Sequence, residues 1–273
     1  MPPFNDALRL SVRLPVFVLF LLTCVATILA LRVLDLFLPQ PLDRAPFAKR
    51  YLGVLCRLLG FTLTRHGKPC AEAGLLVSNH ISWVDIAVLG ACVPLRFLSK
   101  SEVASWPVIG WIARDIGTLF ITRAGGKAAE VREQIVKALG QDHRVLVFPE
   151  GTTTAGTQVL PFRGRLLGAA REAERPIQAV TLAYRRDGRP DLIVPFIGED
   201  SFPSHLVRLL SKPAVRVDVV FHPPLQGTEL GSQALAETLQ RQTATGLATC
   251  LRVPPSSPSD RSRHSLAKTP GGI

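Results

Sequence analysis

Apolar and polar positions divide this chain into three zones. The first holds eighteen uncharged, mostly apolar residues, 14–31, set between Arg13 and Arg32. At 1.5 Å per residue a helix over that run is roughly 27 Å long, enough to cross a thin or average hydrocarbon core. More apolar residues follow at Val33, Leu34, Leu36, Phe37 and Leu38, interrupted by Asp35. A cleavable signal peptide is the competing reading, but Ala30-Leu31-Arg32 is not a small-residue cleavage site. The segment therefore predicts a membrane-anchoring helix, and a shallow, re-entrant or hairpin insertion fits it as well as a span. Residues 39–46 break the pattern with three prolines, and 51–59 predict a second apolar helix carrying Arg57, suited to an interface.

From Gly74 onward short apolar runs alternate with helical patterns. Strands are expected at 75–77, 95–98, 118–122, 145–148, 177–183, 192–195 and 215–221, and helices at 83–93, 103–112, 128–139, 165–174 and 232–251. Such alternation predicts an α/β fold with a mixed, largely parallel sheet flanked by helices. The expected organisation is an anchoring segment over 1–65, a globular domain over 66–252 and a disordered tail over 253–273. That tail is rich in Pro, Ser and Gly.

Charge narrows the partners. The chain has 32 Lys and Arg against 21 Asp and Glu, a net charge of +11 over 273 residues. A basic body fits nucleic acid or an anionic membrane surface. No zinc-finger spacing, RNA-recognition signature or convincing helix-turn-helix occurs, so the membrane is favoured and no nucleic-acid partner is expected. Arg9 and Arg13 precede the apolar segment, while Arg32, Arg44, Lys49, Arg50 and Arg57 follow it. The excess after the segment places the body on the cytoplasmic side of the inner membrane. The five cysteines are scattered, without a CxxC pair, and read as free thiols in a reducing compartment rather than as metal ligands.

The chemistry concentrates in 75–85. An apolar run stops at Ser78-Asn79-His80, and Ser82 reads as the N-cap of the helix that follows. His80 thus sits in a strand-to-helix turn, with Asp85 one turn on and able to fold back to the imidazole. A carboxylate on one ring nitrogen fixes the tautomer and leaves the other free to take a proton. The plainer alternative is a capping box, in which Asp85 only bonds a backbone N–H. A second polar loop, Pro149-Glu150-Gly151-Thr152-Thr153-Thr154, closes the strand at 145–148 and suits a polar head group, or is an ordinary Gly-Thr turn. Arg123 and Lys100 close two further expected strands. Each is either an anion ligand or a solvated surface charge.

Together these stretches resemble the glycerolipid acyltransferases with an Asn-His-x4-Asp signature, typified by bacterial 1-acylglycerol-3-phosphate acyltransferase. Asn79-His80 with Asp85 matches the first family block, and Lys100 through Gly110 with Gly117 to Arg123 resembles the second. Phe148-Pro149-Glu150-Gly151-Thr152 matches the third, and Arg175-Pro176-Ile177 resembles the fourth. The blocks occur in family order over residues 74–183. The resemblance implies His80 as general base toward a lysolipid hydroxyl attacking an acyl thioester, with Asp85 orienting the ring. It implies Asn79, Lys100, Arg123, Glu150, Gly151 and Thr152 as residues around the acceptor. It implies no metal or bound cofactor, with acyl-CoA or acyl carrier protein as donor. Many relatives acting on lysophosphatidate continue the third block as Glu-Gly-Thr-Arg, whereas Thr153 stands here at the Arg position. The longer stretch to Val159-Leu-Pro-Phe162-Arg163 resembles a subset that includes lyso-ornithine lipid acyltransferases. Lysophosphatidate, giving phosphatidic acid in phospholipid biosynthesis, is the first acceptor expected and lyso-ornithine lipid the second. Arg163 or Arg165 is the expected replacement for the lost guanidinium.

Other classes fit less well. A serine hydrolase needs a nucleophile elbow, and no Gly-x-Ser-x-Gly occurs. A thiol mechanism has only Cys70 outside an apolar run. A non-catalytic membrane-binding protein would leave His80, Asp85 and Glu150 unexplained as a set.

Overall fold

The computed structural model describes residues 3–121, 128–226 and 230–252. Two helices, α1 (Pro3–Asp35) and α2 (Ala45–Leu58), lead into strands β1 (Phe61–His66) and β2 (Leu75–Ser78). Then come α3 (Val84–Cys92), β3 (Arg96–Lys100), the short α4 (Ser101–Ala104) and α5 (Ile109–Asp115), and β4 (Leu119–Ile121). Helix α6 (Ala128–Gly140) leads to β5 (Val145–Val147), a 3₁₀ turn at Gly164–Leu166 and α7 (Gly168–Glu172). The long β6 (Ile177–Arg186) turns into β7 (Arg189–Pro190), and α8 (Phe202–Ser211), β8 (Val215–Phe221) and α9 (Ser232–Arg252) follow.

The strands form one eight-stranded sheet in the order β1-β8-β6-β2-β5-β3-β4, with β7 beside β6. Pairing is parallel except where β6 meets β8 and β7. The expected mixed, largely parallel sheet is therefore observed. Strands β2 and β5 are buried at every position, as central parallel strands covered on both faces must be, which is why they read as unbroken apolar runs. Alternation along β6 sends Val180, Leu182 and Tyr184 into one core, with α2, α3 and α8. Ala179 goes to the other, with α6, α7 and α9.

Helix α1 has an inverted polarity. Its exposed side carries Phe4, Leu8, Val12, Val16, Leu19, Leu22, Leu29 and Val33, an apolar stripe at helical spacing. Its charges point the other way. Asp6 pairs with Lys212 at 2.6 Å, and Arg13 donates to the carbonyls of Leu210 and Lys212 at the end of α8. At the far end Arg32 pairs with Asp115 at 2.7 Å, and Arg44 joins Asp35 to Asp115. Both ends of the helix are thus tied to the same globular body. Pro15 lies within the helix.

Several expectations change. The boundary after residue 65 falls inside β1, which pairs with β8, so the N-terminal segment supplies a strand of the sheet. The helix expected at 51–59 begins at Ala45, with a proline in its first turn. The helix expected at 103–112 is two short ones, α4 and α5. Residues 192–195 are irregular rather than a strand, because Asp191 Oδ1 accepts the N–H groups of Ile193 and Val194 and turns the chain. The tail expected over 253–273 lies outside the described residues.

Helix α9 packs on β6 at a point where no side chain fits. A Cβ added at Gly246 would lie 2.5 Å from Thr181 Oγ1 and 2.8 Å from His222 Nε2, two atoms already hydrogen-bonded to each other at 2.8 Å. Gly246→Ala is expected to cost about 1–3 kcal/mol, the usual penalty of overpacking, read as a lowered midpoint of thermal unfolding in detergent.

Candidate active site

Three neighbouring strands build the site. Strand β2 lies between β6 and β5, so the turn after β2 can be held from both sides. From β6 comes a main-chain clamp: Asn79 Nδ2 donates to Leu182 O at 2.9 Å, and Asn79 Oδ1 accepts the Leu182 N–H at 2.8 Å. From the loop after β5 comes Glu150, whose Oε1 accepts the His80 N–H at 2.7 Å and whose Oε2 accepts the Leu160 N–H at 2.9 Å. The chain leaves β2 in a conformation fixed before any substrate arrives.

Within that turn Asp85 folds back as the spacing predicts. Its Oδ2 lies 2.8 Å from His80 Nδ1 and also accepts the N–H groups of Ile81, at 2.7 Å, and Ser82, at 3.0 Å. Asp85 is therefore both the imidazole's partner and the backbone-binding group of a capping box. The other half of that box is missing: Ser82 Oγ is buried with no hydrogen-bond partner among the described residues, and Trp83 holds the N-cap position. Asp85 Oδ1 accepts the Tyr184 hydroxyl at 2.7 Å. The carboxylate accepts from Nδ1–H, which sets the ring proton there and leaves Nε2 as the free acceptor. The His80 ring stacks on Phe148, with centroids 4.0 Å apart and planes 14° apart, which restricts its rotation.

Burial splits the titrating groups by role. Asp85 is fully buried, while the His80 side chain keeps 21% of its surface. Desolvation pushes the Glu150 carboxyl above its ordinary value, opposed by the N–H groups of Leu160 and His80 that it accepts. Burial, then the neighbouring Asp85 charge, pushes the Tyr184 phenol well above its ordinary value. Tyr184 is therefore a neutral hydrogen-bond donor throughout the working pH range.

The imidazole opens on a cavity of 1490 Å³. Its polar end is lined by His80, Gly151, Thr152, Thr153, Arg163 and Arg165, and its apolar end by side chains of α1 and α2. Gly151 has φ +72°, and a Cβ there would come within 3.1 Å of the Arg163 guanidinium, so the loop and that arginine need a glycine between them. Thr153 turns its hydroxyl to Phe196 O at 2.5 Å, while the Phe196 N–H donates to Ile81 O. The residue at the expected arginine position thus pins a neighbouring loop.

The expected site residues fall into three groups. His80, Asp85, Gly151 and Thr152 come together around the cavity or directly behind it. Asn79 and Glu150, expected as acceptor ligands, are absent from the cavity lining, because their polar atoms are committed to main-chain groups. Lys100 ends β3 opposite Ile121, and Arg123 lies outside the described residues. Tyr184 and Phe148 are additions. A tyrosine in an apolar strand and a phenylalanine ending one carry no periodicity that separates a site contact from core packing. Among the described residues no cluster of three or more His, Cys, Asp and Glu is placed to hold a metal.

Comparison with known proteins agrees with this geometry. A family profile described as Acyltransferase matches residues 63–183. A lyso-ornithine lipid O-acyltransferase of Pseudomonas aeruginosa is 42% identical over 201 residues, covering 70% of this chain and 78% of that protein. A 1-acyl-sn-glycerol-3-phosphate acyltransferase of Neisseria meningitidis is 33% identical over 172 residues, covering 62% of this chain and 68% of the other. The crystal structure of the 1-acyl-sn-glycerophosphate acyltransferase PlsC from Thermotoga maritima superposes with a TM-score of 0.69 at 16% identity, over 94% of this chain and all of that one. That likeness concerns the fold.

The tie from Glu150 to the His80 turn yields a test. In Glu150→Gln the amide accepts only one of the two N–H groups and presents its own N–H₂ to the other. An unsatisfied buried donor costs about 1–3 kcal/mol. The variant is expected to unfold at lower temperature and to turn over at least about ten-fold more slowly, since the loss falls on the segment that carries His80.

Proposed function

The chain belongs to the acyltransferase family, and from that premise we propose that it moves a fatty acyl group from an acyl thioester to the hydroxyl of a lyso-ornithine lipid. The observation that carries the reaction type is His80 Nε2, facing the cavity while Nδ1 is backed by a buried carboxylate. The acceptor hydroxyl gives its proton to Nε2 as its oxygen attacks the thioester carbonyl. The C–O bond forms, the C–S bond breaks, and the thiolate leaves with little need of acid assistance. Asp85 holds the ring and stabilises the imidazolium formed in the step. The N–H groups of His80, Ile81 and Ser82 already bond carboxylates. The developing oxyanion is therefore met from the facing wall of the cavity.

Thr153 favours the ornithine acceptor. With its hydroxyl on Phe196 O, it supplies no guanidinium to a phosphate. Arg163, beside Gly151, suits the single carboxylate of an ornithine head group. The relative at 42% identity points the same way, and the order of acceptors expected from the sequence is reversed. Lysophosphatidate is the second reading, favoured by two arginines at the polar end of the cavity, Arg163 and Arg165. Either acyl-CoA or acyl carrier protein serves as donor.

The apolar stripe of α1 lies in the membrane. With both ends tied to the body, the helix rests in the plane of the interface with its stripe among the acyl chains and the cavity beneath it. Two measurements test these readings. Acyl transfer to lyso-ornithine lipid should exceed transfer to lysophosphatidate in side-by-side assays, and His80→Ala should lower either by at least about 100-fold. Preference for lysophosphatidate would overturn the acceptor, and an active His80→Ala would overturn the base. Replacing Leu19 and Leu22 together by Glu should move the protein from the membrane pellet to the supernatant. Retention in the pellet would exclude the in-plane placement.

A further inference from the structure

The carboxylate behind His80 is used unevenly. Oδ2 serves three donors, the imidazole and two backbone N–H groups, whereas Oδ1 accepts the Tyr184 hydroxyl at 2.7 Å. Tyr184 reaches it from β6 across the apolar core, its ring edge-on to Phe61 at 5.9 Å and fully buried among Val180 and Leu182. A phenol oxygen or a carboxylate oxygen alone in that core would carry a large desolvation cost, so each group is the other's reason for being there.

We propose that Tyr184 is a positioning residue of the reaction, which holds Asp85 through Oδ1 and thereby sets the pH range in which His80 works as a base. The proposal rests on the reading of His80 as that base. Two effects follow from one hydrogen bond. Donors on both oxygens fix the carboxylate plane, so that Oδ2 stays on Nδ1 and Nε2 stays aimed into the cavity. The phenol also stabilises the carboxylate charge in the resting state, where the imidazole is neutral. Once His80 has taken a proton, the imidazolium itself compensates that charge, and the phenol matters less. Removing the phenol therefore destabilises the unprotonated dyad more than the protonated one, and the pair holds its proton to higher pH. The sign is the same whether the proton resides on the imidazole or on the carboxylate.

Tyr184→Phe keeps the ring and its packing and removes only the donor. With purified full-length protein and saturating acyl donor, kcat at pH 7 should fall about 10- to 100-fold, with KM for the acceptor within about two-fold. The acid limb of the kcat–pH profile should move up by about one unit, so that part of the loss is recovered on the alkaline side. A second variant carries 3-fluorotyrosine at position 184, a stronger donor of the same shape, and should move the limb the opposite way. A uniform loss across the pH range, or a limb unmoved in both variants, would overturn the proposal. If Tyr184→Phe does not fold, the direction of the fluorotyrosine shift decides alone. His80→Ala run in parallel separates the two readings. An active His80→Ala removes the base, whereas an inactive one beside an unmoved limb removes only the role of Tyr184.

Discussion

A carboxylate charge with no access to water has to be surrounded by donors, and Asp85 gathers four of them. That requirement organises the centre of the molecule. Two donors are backbone N–H groups of the turn before α3, which fixes Asp85 in the first turn of that helix. One is a phenol from β6, which requires β6 to lie beside β2. The fourth is the imidazole, whose remaining nitrogen then points away from the core and into the cavity. Buried charges without partners cost many kcal/mol, so the four donors together make the burial of this carboxylate possible. The same contacts that let the charge be buried aim the base.

The turn is gripped from its other side by a second buried carboxylate, Glu150, and from beneath by the amide of Asn79. Asp85, Glu150 and Asn79 all bond main chain, from the first turn of α3, the loop after β5 and the turn itself. Site residues held by neighbouring strands need no ligand to order them, which is the condition for a preorganised reaction centre. The arrangement also has a chemical consequence. Successive N–H groups at a strand-to-helix turn commonly form an anion nest, and here the protein's own carboxylates fill it. Under the proposed function, negative charge on the substrate would be met by the loop where Gly151 admits the Arg163 guanidinium.

How much of this is legible in the sequence depends on what each residue must satisfy. Strands β2 and β5 are visible because central parallel strands need apolar runs, and β6 because nearly all of its length is buried. Strand β1 is not, since Thr62, Thr64 and Arg65 give it the polar look of a loop, and as an edge strand it exposes Thr62 and Arg65. Helix α8 escapes notice because it is ten residues long and begins with Phe202-Pro203. In the site, the spacing of His80 and Asp85 suffices to foresee their contact, because a helix's first turn brings those positions together. Asn79 and Glu150 are identified as site residues, and the structure shows both bonded to main chain. A polar side chain beside a reactive turn has the same signature whether it faces substrate or main chain, and only the path of the neighbouring strand decides. Tyr184 lies beyond sequence reasoning for the complementary reason, since its ring belongs to the core and only its oxygen belongs to the site.

The polarity of α1 links the buried charge to the membrane. Asp6 and Arg13 near one end of α1, and Arg32 and Asp35 near the other, are bonded to groups elsewhere in the protein, and the outer stripe between them is apolar and exposed. On the inner side Phe17, Phe20 and Ile28 face the cavity, and Tyr51 of α2 joins them. One helix thus has a lipid face, a cavity face and a set of ion pairs that fix its height on the body. Under the proposed function, a substrate with a long acyl chain and a polar head group would meet the lipid, the apolar lining of the cavity and the imidazole. The rigid tie between α1 and the sheet makes that sequence a property of the folded chain rather than of a hinge. On the proposed in-plane placement, the depth at which the helix lies in the bilayer would set the depth at which His80 meets the acceptor hydroxyl.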